Sequence, residues 1–214
     1  MSLQDQIEKL KQDMSGQTPP DVQQTMQQAA EKLEHSGILD HSLKAGDTAP
    51  NFTLPDAHGD HVNFVDTLEH GPVVLSFYRG GWCPYCNLEL QALQQVLPQI
   101  KELGAQLMAV SPELPDQALS TVEKHALAFT VLSDRGNRVV RDFGIVFTLP
   151  EALRPIYAKF GIDLPARNGD DSFELPVPAT YVIGRNGIIM GGFVNTDYMQ
   201  RMEPERILDI LRND

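Results

Sequence analysis

Tyr78-Arg79-Gly80-Gly81-Trp82-Cys83-Pro84-Tyr85-Cys86-Asn87 holds both cysteines of this 214-residue chain. The apolar run Pro72-Val73-Val74-Leu75-Ser76-Phe77 leads in, and Leu88, Leu90, Leu93, Val96, Leu97 and Ile100 lead out at helical spacing. A short run rich in β-branched residues reads as a buried strand, so the cysteines lie where a strand turns into a helix. Residues three apart at a helix start face the same side, which brings the two sulfurs within disulfide reach. Unpaired N–H groups and the dipole at a helix N-terminus favour a thiolate, and can bring a thiol pKa from about 8.5 down to roughly 3.5–7.5. The chemistry implied is that of a redox-active dithiol.

The flanking residues fit that reading. Pro84 suits the first helical turn, where its missing N–H costs nothing. Gly80 and Gly81 allow a sharp turn and are expected to keep the sulfurs near the surface. Arg79 supplies a fixed positive charge for a thiolate or a peroxide oxygen. Glu89 reads as lying in the first turn of the helix, where its dipole favours a carboxylate. Tyr78 and Trp82 read as packing residues. A zinc half-site needs two further ligands for tetrahedral coordination, and the histidines are scattered; His58 and His61 read as solvated turn residues. Inert core thiols fit poorly beside glycines, an arginine and a proline. No metal and no cofactor are expected.

Composition narrows the setting. Hydrophobic residues make up 42% of the chain, an ordinary globular share, and the formal net charge is −12. An acidic surface repels phosphates, so neither nucleic acid nor an anionic membrane is an expected partner. No apolar stretch has the length of a membrane span, and the polar N-terminus does not read as a leader. The expectation is a cytoplasmic protein whose thiols are kept reduced between turnovers.

Working outward, Leu3, Ile7, Leu10 and Met14 recur at helical spacing, Thr18-Pro19-Pro20 interrupts, and Asp21 reads as the N-cap of a second helix carrying Val22, Met26, Ala29, Ala30 and Leu33. Residues 1–44 are thus expected to form an N-terminal helical extension, packed on the main domain or on a second subunit as a homodimer. Residues 45–214 form the main domain. Asn51 to Leu54 and His61 to Phe64 read as a short hairpin, Gln106 to Val110 and Phe129 to Leu132 as strands, and Pro115 to Leu127 as a helix. Gly136 to Phe143 and Leu149 to Phe160 read as further helices, and Asp163 to Pro178 as a long loop. Thr180 to Gly184 and Ile188 to Met190 flank an Asn-Gly turn as a hairpin, and Glu203 to Leu211 is a terminal helix. This order implies an α/β fold: a central mixed sheet flanked by helices, parallel in the middle, with a hairpin at one edge.

From about Leu43 to Leu211 the chain resembles the peroxiredoxins of the AhpC/TSA branch of the thioredoxin superfamily. The resemblance rests on Gly46 to Leu54, Val73 to Arg79, Phe129 to Asp134 with Phe143-Gly144, and Pro178 to Ile189. It implies a thioredoxin-like fold. It also carries a motif, Pro-x-x-x-Thr/Ser-x-x-Cys after a strand ending in Phe-Tyr. On that motif Cys86 takes the peroxidatic place, Cys83 the hydroxyl place and Arg79 the proline place, and Glu89 falls on an acidic position of the same helix. Two departures are visible. The hydroxyl has become a second thiol, so that Trp82 to Cys86 is similar to thioredoxin and glutaredoxin dithiols. Pro178 stands where peroxiredoxins usually place an arginine, as thioredoxins place a cis-proline; a cis Val177–Pro178 bond is therefore expected. Thr180 can serve either core or site.

The resemblance implies an oxidoreductase of the thioredoxin-dependent peroxidase type. Cys86 becomes a sulfenic acid on a hydroperoxide, Cys83 resolves it as a Cys83–Cys86 disulfide, and thioredoxin or glutaredoxin reduces the product. Arg79, Trp82, Pro84, Glu89, Pro178 and Thr180 shape the site. Two other readings stay open: a thioredoxin-like protein-disulfide reductase with Cys83 as nucleophile, and a redox-sensing or binding module without turnover.

Overall fold

Two helices open the chain, α1 (Leu3–Ser15) and α2 (Pro20–Glu34), followed by a single turn, α3 (Ile38–His41). The computed structural model describes residues 1–16 and 18–213. Ser2 and Asp5 cap α1 reciprocally, each side chain accepting from the other's backbone N–H. At α2 the cap is Pro19, with Pro20 as the first helical residue and Asp21 in the first turn. Asp21 is therefore not the cap expected from the sequence, since the first helical position takes a proline at no cost in hydrogen bonds. The two helices lie against the rest of the same chain. Leu3 and Ile7 are buried in a cluster with Tyr78, Tyr85 and Leu90, and the N–H groups of Leu3 and Gln4 donate to the Glu203 carboxylate at 3.2 and 2.7 Å.

The remaining elements run β1 (Thr53–Pro55), β2 (His61–Asn63), α4 (Phe64–Leu68), β3 (Val73–Phe77), α5 (Pro84–Glu102), β4 (Gln106–Ser111) and α6 (Pro115–His125). They continue with β5 (Thr130–Ser133), α7 (Arg138–Asp142), β6 (Val146–Thr148), a 3₁₀ turn (Glu151–Leu153), α8 (Arg154–Lys159), α9 (Leu164–Asn168), β7 (Glu174–Pro176), β8 (Ala179–Ile183), β9 (Ile189–Val194) and α10 (Pro204–Arg212). The main sheet has the order β5-β4-β3-β8-β9. β3, β4 and β5 are parallel, and β8 and β9 form an antiparallel hairpin against β3. The mixed sheet and the edge hairpin match the sequence reading, except that the parallel half extends to the opposite edge. All five residues of β3 are buried, as expected of a strand covered on both faces.

Three expectations change. The stretch from Asp163 to Pro178 is not one loop: Asp163 caps α9 through the Ala166 N–H, and β7 pairs with β6 in a separate two-stranded sheet. Elements of three to five residues carry too little periodicity to be read from sequence. The expected helix from Leu149 to Phe160 starts later, with Pro155 in the first turn of α8, where proline is tolerated. Helix α6 stops at His125 because Ala126 adopts a left-handed conformation, φ 48°.

Candidate active site

The carboxyl ends of β3 and β4 lie side by side at the centre of the sheet, the place where open α/β sheets bind ligands. The dithiol turn leaves β3 there and enters α5. Cys83 is the N-cap of α5 and Pro84 its first residue, so Cys86 lies in the first turn, while Glu89 lies past it and not in the first turn as expected, because the helix begins only after Cys83. Both cysteines are free thiols with no solvent exposure. The expectation of sulfurs near the surface is corrected, and the glycines give the reason. Gly80 has φ +148°, and a side chain there would overlap the Trp82 indole and lie 2.9 Å from the Glu113 carboxyl carbon. A side chain at Gly81 would overlap the Thr121 hydroxyl. Small residues at these positions draw the turn into the protein under its neighbours, with Leu3 and Ile7 covering from another side.

Each sulfur has its own guanidinium. Arg79 Nη2 donates to Cys83 Sγ at 3.2 Å, and Arg201 Nη2 donates to Cys86 Sγ at 3.4 Å. The two arginines differ in their other partners. Arg201 is paired with the buried Glu89 carboxylate, which also accepts from the Thr180 hydroxyl at 3.0 Å. Arg79 donates to the Tyr157 hydroxyl at 3.2 Å, and its guanidinium carbon lies 4.0 Å from the Tyr198 ring centre and 5.0 Å from that of Trp82. These partners leave the Arg79 charge uncompensated except by sulfur.

The proton of the pair follows that asymmetry. Burial works against ionising Cys83, but a hydrogen bond from the Cys86 thiol and the charges of Arg79 and Arg201 outweigh it and hold Cys83 well below the ordinary thiol range. Burial, then the hydrogen bond and charge of Cys83, push Cys86 well above it. Within the reduced pair ionisation is therefore favoured at Cys83 over Cys86. Burial also raises Glu89, with Arg201 acting in the opposite direction.

Behind the turn stands Glu113, two residues past β4 and fully buried. Its carboxylate accepts the Gly81 N–H at 2.8 Å and an Arg167 bond at 3.2 Å, and burial raises its pKa. Asn87 closes the other side, donating to the Gly81 carbonyl at 2.9 Å.

Of the residues singled out from sequence, Arg79, Trp82, Cys83, Pro84, Cys86, Glu89 and Thr180 converge here. Pro178 is buried just before β8, and the Val177–Pro178 bond is trans; the expected cis bond is absent. Arg201, Glu113, Tyr157 and Tyr198 went unread. Glu113 had one available signal, its position just past a buried strand. Arg201 had none, for it lies 115 positions from Cys86 in an irregular segment.

A model of the AhpC/TSA family matches residues 45–191. The chain belongs to the AhpC/TSA family. Among curated AhpC/TSA relatives, peroxiredoxin Bcp of Escherichia coli K12 is 35% identical over 103 residues, covering 48% of this chain and 65% of Bcp. The chain thus spans just under two thirds of that relative's length. The chloroplastic peroxiredoxin Q of Sedum lineare is 29% identical over 164 residues, covering 77% of this chain and 73% of the relative. The crystal structure of peroxidoxin BcpB from Mycobacterium tuberculosis superimposes with a TM-score of 0.63 at 22% identity, over 80% of this chain and 97% of that one. The fold is therefore the thioredoxin-like arrangement of the peroxiredoxins.

Proposed function

We propose that this AhpC/TSA protein is a dithiol peroxidase, with Cys86 as the peroxidatic and Cys83 as the resolving sulfur. The observation that carries this reading is the pair of buried cysteines at the start of one helix, each sulfur accepting a bond from its own arginine. Cys86 keeps the family's place in the first turn of the helix, against Arg201 and Glu89. As Cys86 attacks a hydroperoxide, its proton passes to the Cys83 sulfur, the O–O bond breaks, and the leaving alkoxide takes that proton and departs as the alcohol. The new sulfenic acid is then attacked by Cys83 sulfur; the S–O bond breaks, the S–S bond forms, and water leaves. In sum, one thiolate, one thiol, ROOH and a proton from solvent give a disulfide, ROH and water. An external dithiol of the thioredoxin or glutaredoxin type restores the pair by exchange. A cytoplasmic setting, residues 1–44 as a separate extension and a homodimer belong to the same proposal; light scattering that gives a monomer mass at micromolar concentration removes the homodimer.

A second reading is favoured by the charge on Cys83. A thiolate held by Arg79 at the helix cap is the nucleophile of a protein-disulfide reductase, with Cys86 resolving. The test is peroxide consumption and insulin-disulfide reduction measured in one preparation. Under the first reading Cys86→Ser abolishes peroxide consumption, while Cys83→Ser accumulates a sulfenic acid trapped by dimedone. Full peroxide turnover in Cys86→Ser removes the role assignment, and insulin reduction that far outpaces peroxide consumption selects the second reading.

A further inference from the structure

Residues 195–203, between β9 and α10, carry Arg201 but belong to no helix or strand. Local bonds order the first part of this segment. The Asp197 N–H donates to the Asn195 side chain at 2.9 Å, the Met199 N–H to the Asp197 carboxylate at 3.0 Å, and the Gln200 N–H to the Asp197 carbonyl at 2.9 Å. Arg201 is then tied by its own side chain. Its Nε and Nη2 donate to the Tyr198 carbonyl at 2.9 and 2.7 Å, its Nη1 to Glu89, and its Nη2 to Cys86 Sγ. Two residues on stands Glu203, the N-cap residue of α10, whose side chain makes no capping bond to that helix. Its carboxylate reaches α1 instead, Oε1 accepting the Gln4 N–H and Oε2 the Leu3 N–H. The Asp5 N–H is bonded to the Ser2 hydroxyl, so the N–H groups of Leu3, Gln4 and Asp5, which lack partners within the helix, are all satisfied. A carboxylate is also favoured at that end by the helix dipole. Around this contact Leu3 and Ile7 are buried in one cluster with Cys86 and Tyr85, and Tyr198 and Met199 pack against it. Met202, between Arg201 and Glu203, is buried with Ile207 and Leu208 of α10.

We infer that α1 is a brace for the arginine of Cys86: Glu203, clasping the N-terminal N–H groups of α1, is a positioning residue that holds the segment so that the Arg201 guanidinium stays on Cys86. A segment without a backbone ladder does not by itself fix a long side chain, and a displacement of about 1 Å is enough to cost a reactive group much of its effect. α1, Arg201 and Glu203 all lie outside the family match at 45–191, so the matched residues alone do not complete the surroundings of Cys86. The inference goes beyond the peroxidase reading, because it concerns the contact between Arg201 and Cys86 whichever cysteine attacks.

The test uses full-length Cys83→Ser protein, in which Cys86 is the only cysteine. Cys86 is faced there by Arg201 and Glu89, by Arg79 at the turn, and by Tyr78 and Glu113 behind it. With the Cys83 charge gone, Arg201 and Arg79 are the groups that favour its thiolate against burial. The pH dependence of iodoacetamide alkylation, read by mass spectrometry, gives the ionisation midpoint. Glu203→Ala is expected to raise that midpoint by about one unit, and so to slow alkylation below it about tenfold. Gln4→Pro breaks the shorter bond from the helix side, in a first turn that tolerates proline, and should move the midpoint in the same direction. Glu203→Gln keeps an oxygen acceptor and should return most of the parent value. Glu203→Ala is also placed on Arg201→Met, Glu89→Gln, where it should change nothing further, since the brace works through Arg201 alone. An equal shift in both backgrounds is general loosening and overturns the inference. So does a midpoint unmoved by both Glu203→Ala and Gln4→Pro with Arg201 in place. Peroxide oxidation of Cys86 is followed in the same samples: a rate no faster than that of a free thiol, with the midpoint shift intact, removes the peroxidase reading and supports the brace.

Discussion

Arg201→Met isolates what the buried ion pair does. The Arg201 and Glu89 side chains are 2% and 4% exposed, and the substitution leaves Glu89 with the Thr180 hydroxyl as its remaining partner. Breaking a buried pair from one side costs about 3–5 kcal/mol, because a charge stays in the interior uncompensated. A Coulomb energy at about 4 Å and an effective dielectric constant of about 20 is of the same order, roughly 4 kcal/mol. An unfolding entropy of about 2.1 cal/mol/K per residue gives roughly 450 cal/mol/K for 214 residues. The melting midpoint should then fall by about 7–11 °C. Without Arg201, burial of Glu89 is opposed only by the Thr180 hydrogen bond, and its folded pKa rises further above the unfolded carboxylate value. The folded state then takes up a proton before the unfolded chain does, so the deficit shrinks as pH is lowered through that raised value. Adding Glu89→Gln to Arg201→Met removes the stranded charge and should recover most of the lost stability. Urea denaturation of the reduced proteins measures all four corners of the cycle. An Arg201→Met protein within about 0.5 kcal/mol of the parent, or a double variant no more stable than Arg201→Met, would refute the reasoning.

Two more outcomes follow from the geometry. Arg79→Gln removes the cation 3.2 Å from Cys83, so the thiolate absorbance near the far ultraviolet should appear only at higher pH than in the parent; an unmoved titration means that Arg79 does not hold the charge. Because the folded Cys83 pKa is depressed, its stabilisation is complete above the unfolded thiol value near 8.5 and is lost as pH falls through the folded value, and Arg79→Gln should narrow that window from below. Gly81→Ala drives a methyl into the Thr121 hydroxyl and should cost about 1–3 kcal/mol. Thr121→Ala in the same chain should return most of it, and a Gly81→Ala protein as stable as the parent in urea would show that the turn has room to shift.

The dithiol turn and the central sheet were legible because β3 and α5 are long enough to show their periods, and because a cysteine pair at such a junction has few other uses. Glu89 and Thr180 could be named from sequence, but not their joint role, since Arg201 joins them from a segment with no regular pattern. Burial of the sulfurs was misread for a related reason. Gly80 and Gly81 look like exposing residues until Thr121, Glu113 and Trp82 are seen to close over them, and those contacts are all made by folding. Asp163 capping α9 was readable in principle, yet a five-residue helix beside three prolines leaves little signal.

The placement of both sulfurs at the start of α5 sets up a kinetic competition under the peroxidase proposal. A sulfenic acid on either cysteine faces two fates: attack by the neighbouring sulfur, or by a second peroxide molecule that carries it on to a sulfinic acid. Well-oriented intramolecular partners act at effective concentrations of about 10⁵–10⁸ M, whereas peroxide arrives at its bulk concentration. Under the peroxidase proposal, with both sulfurs at the start of one helix and shielded from solvent, the disulfide is expected to close with little unwinding of α5. The arrangement favours resistance to irreversible oxidation at peroxide concentrations that would inactivate a site whose second sulfur must travel.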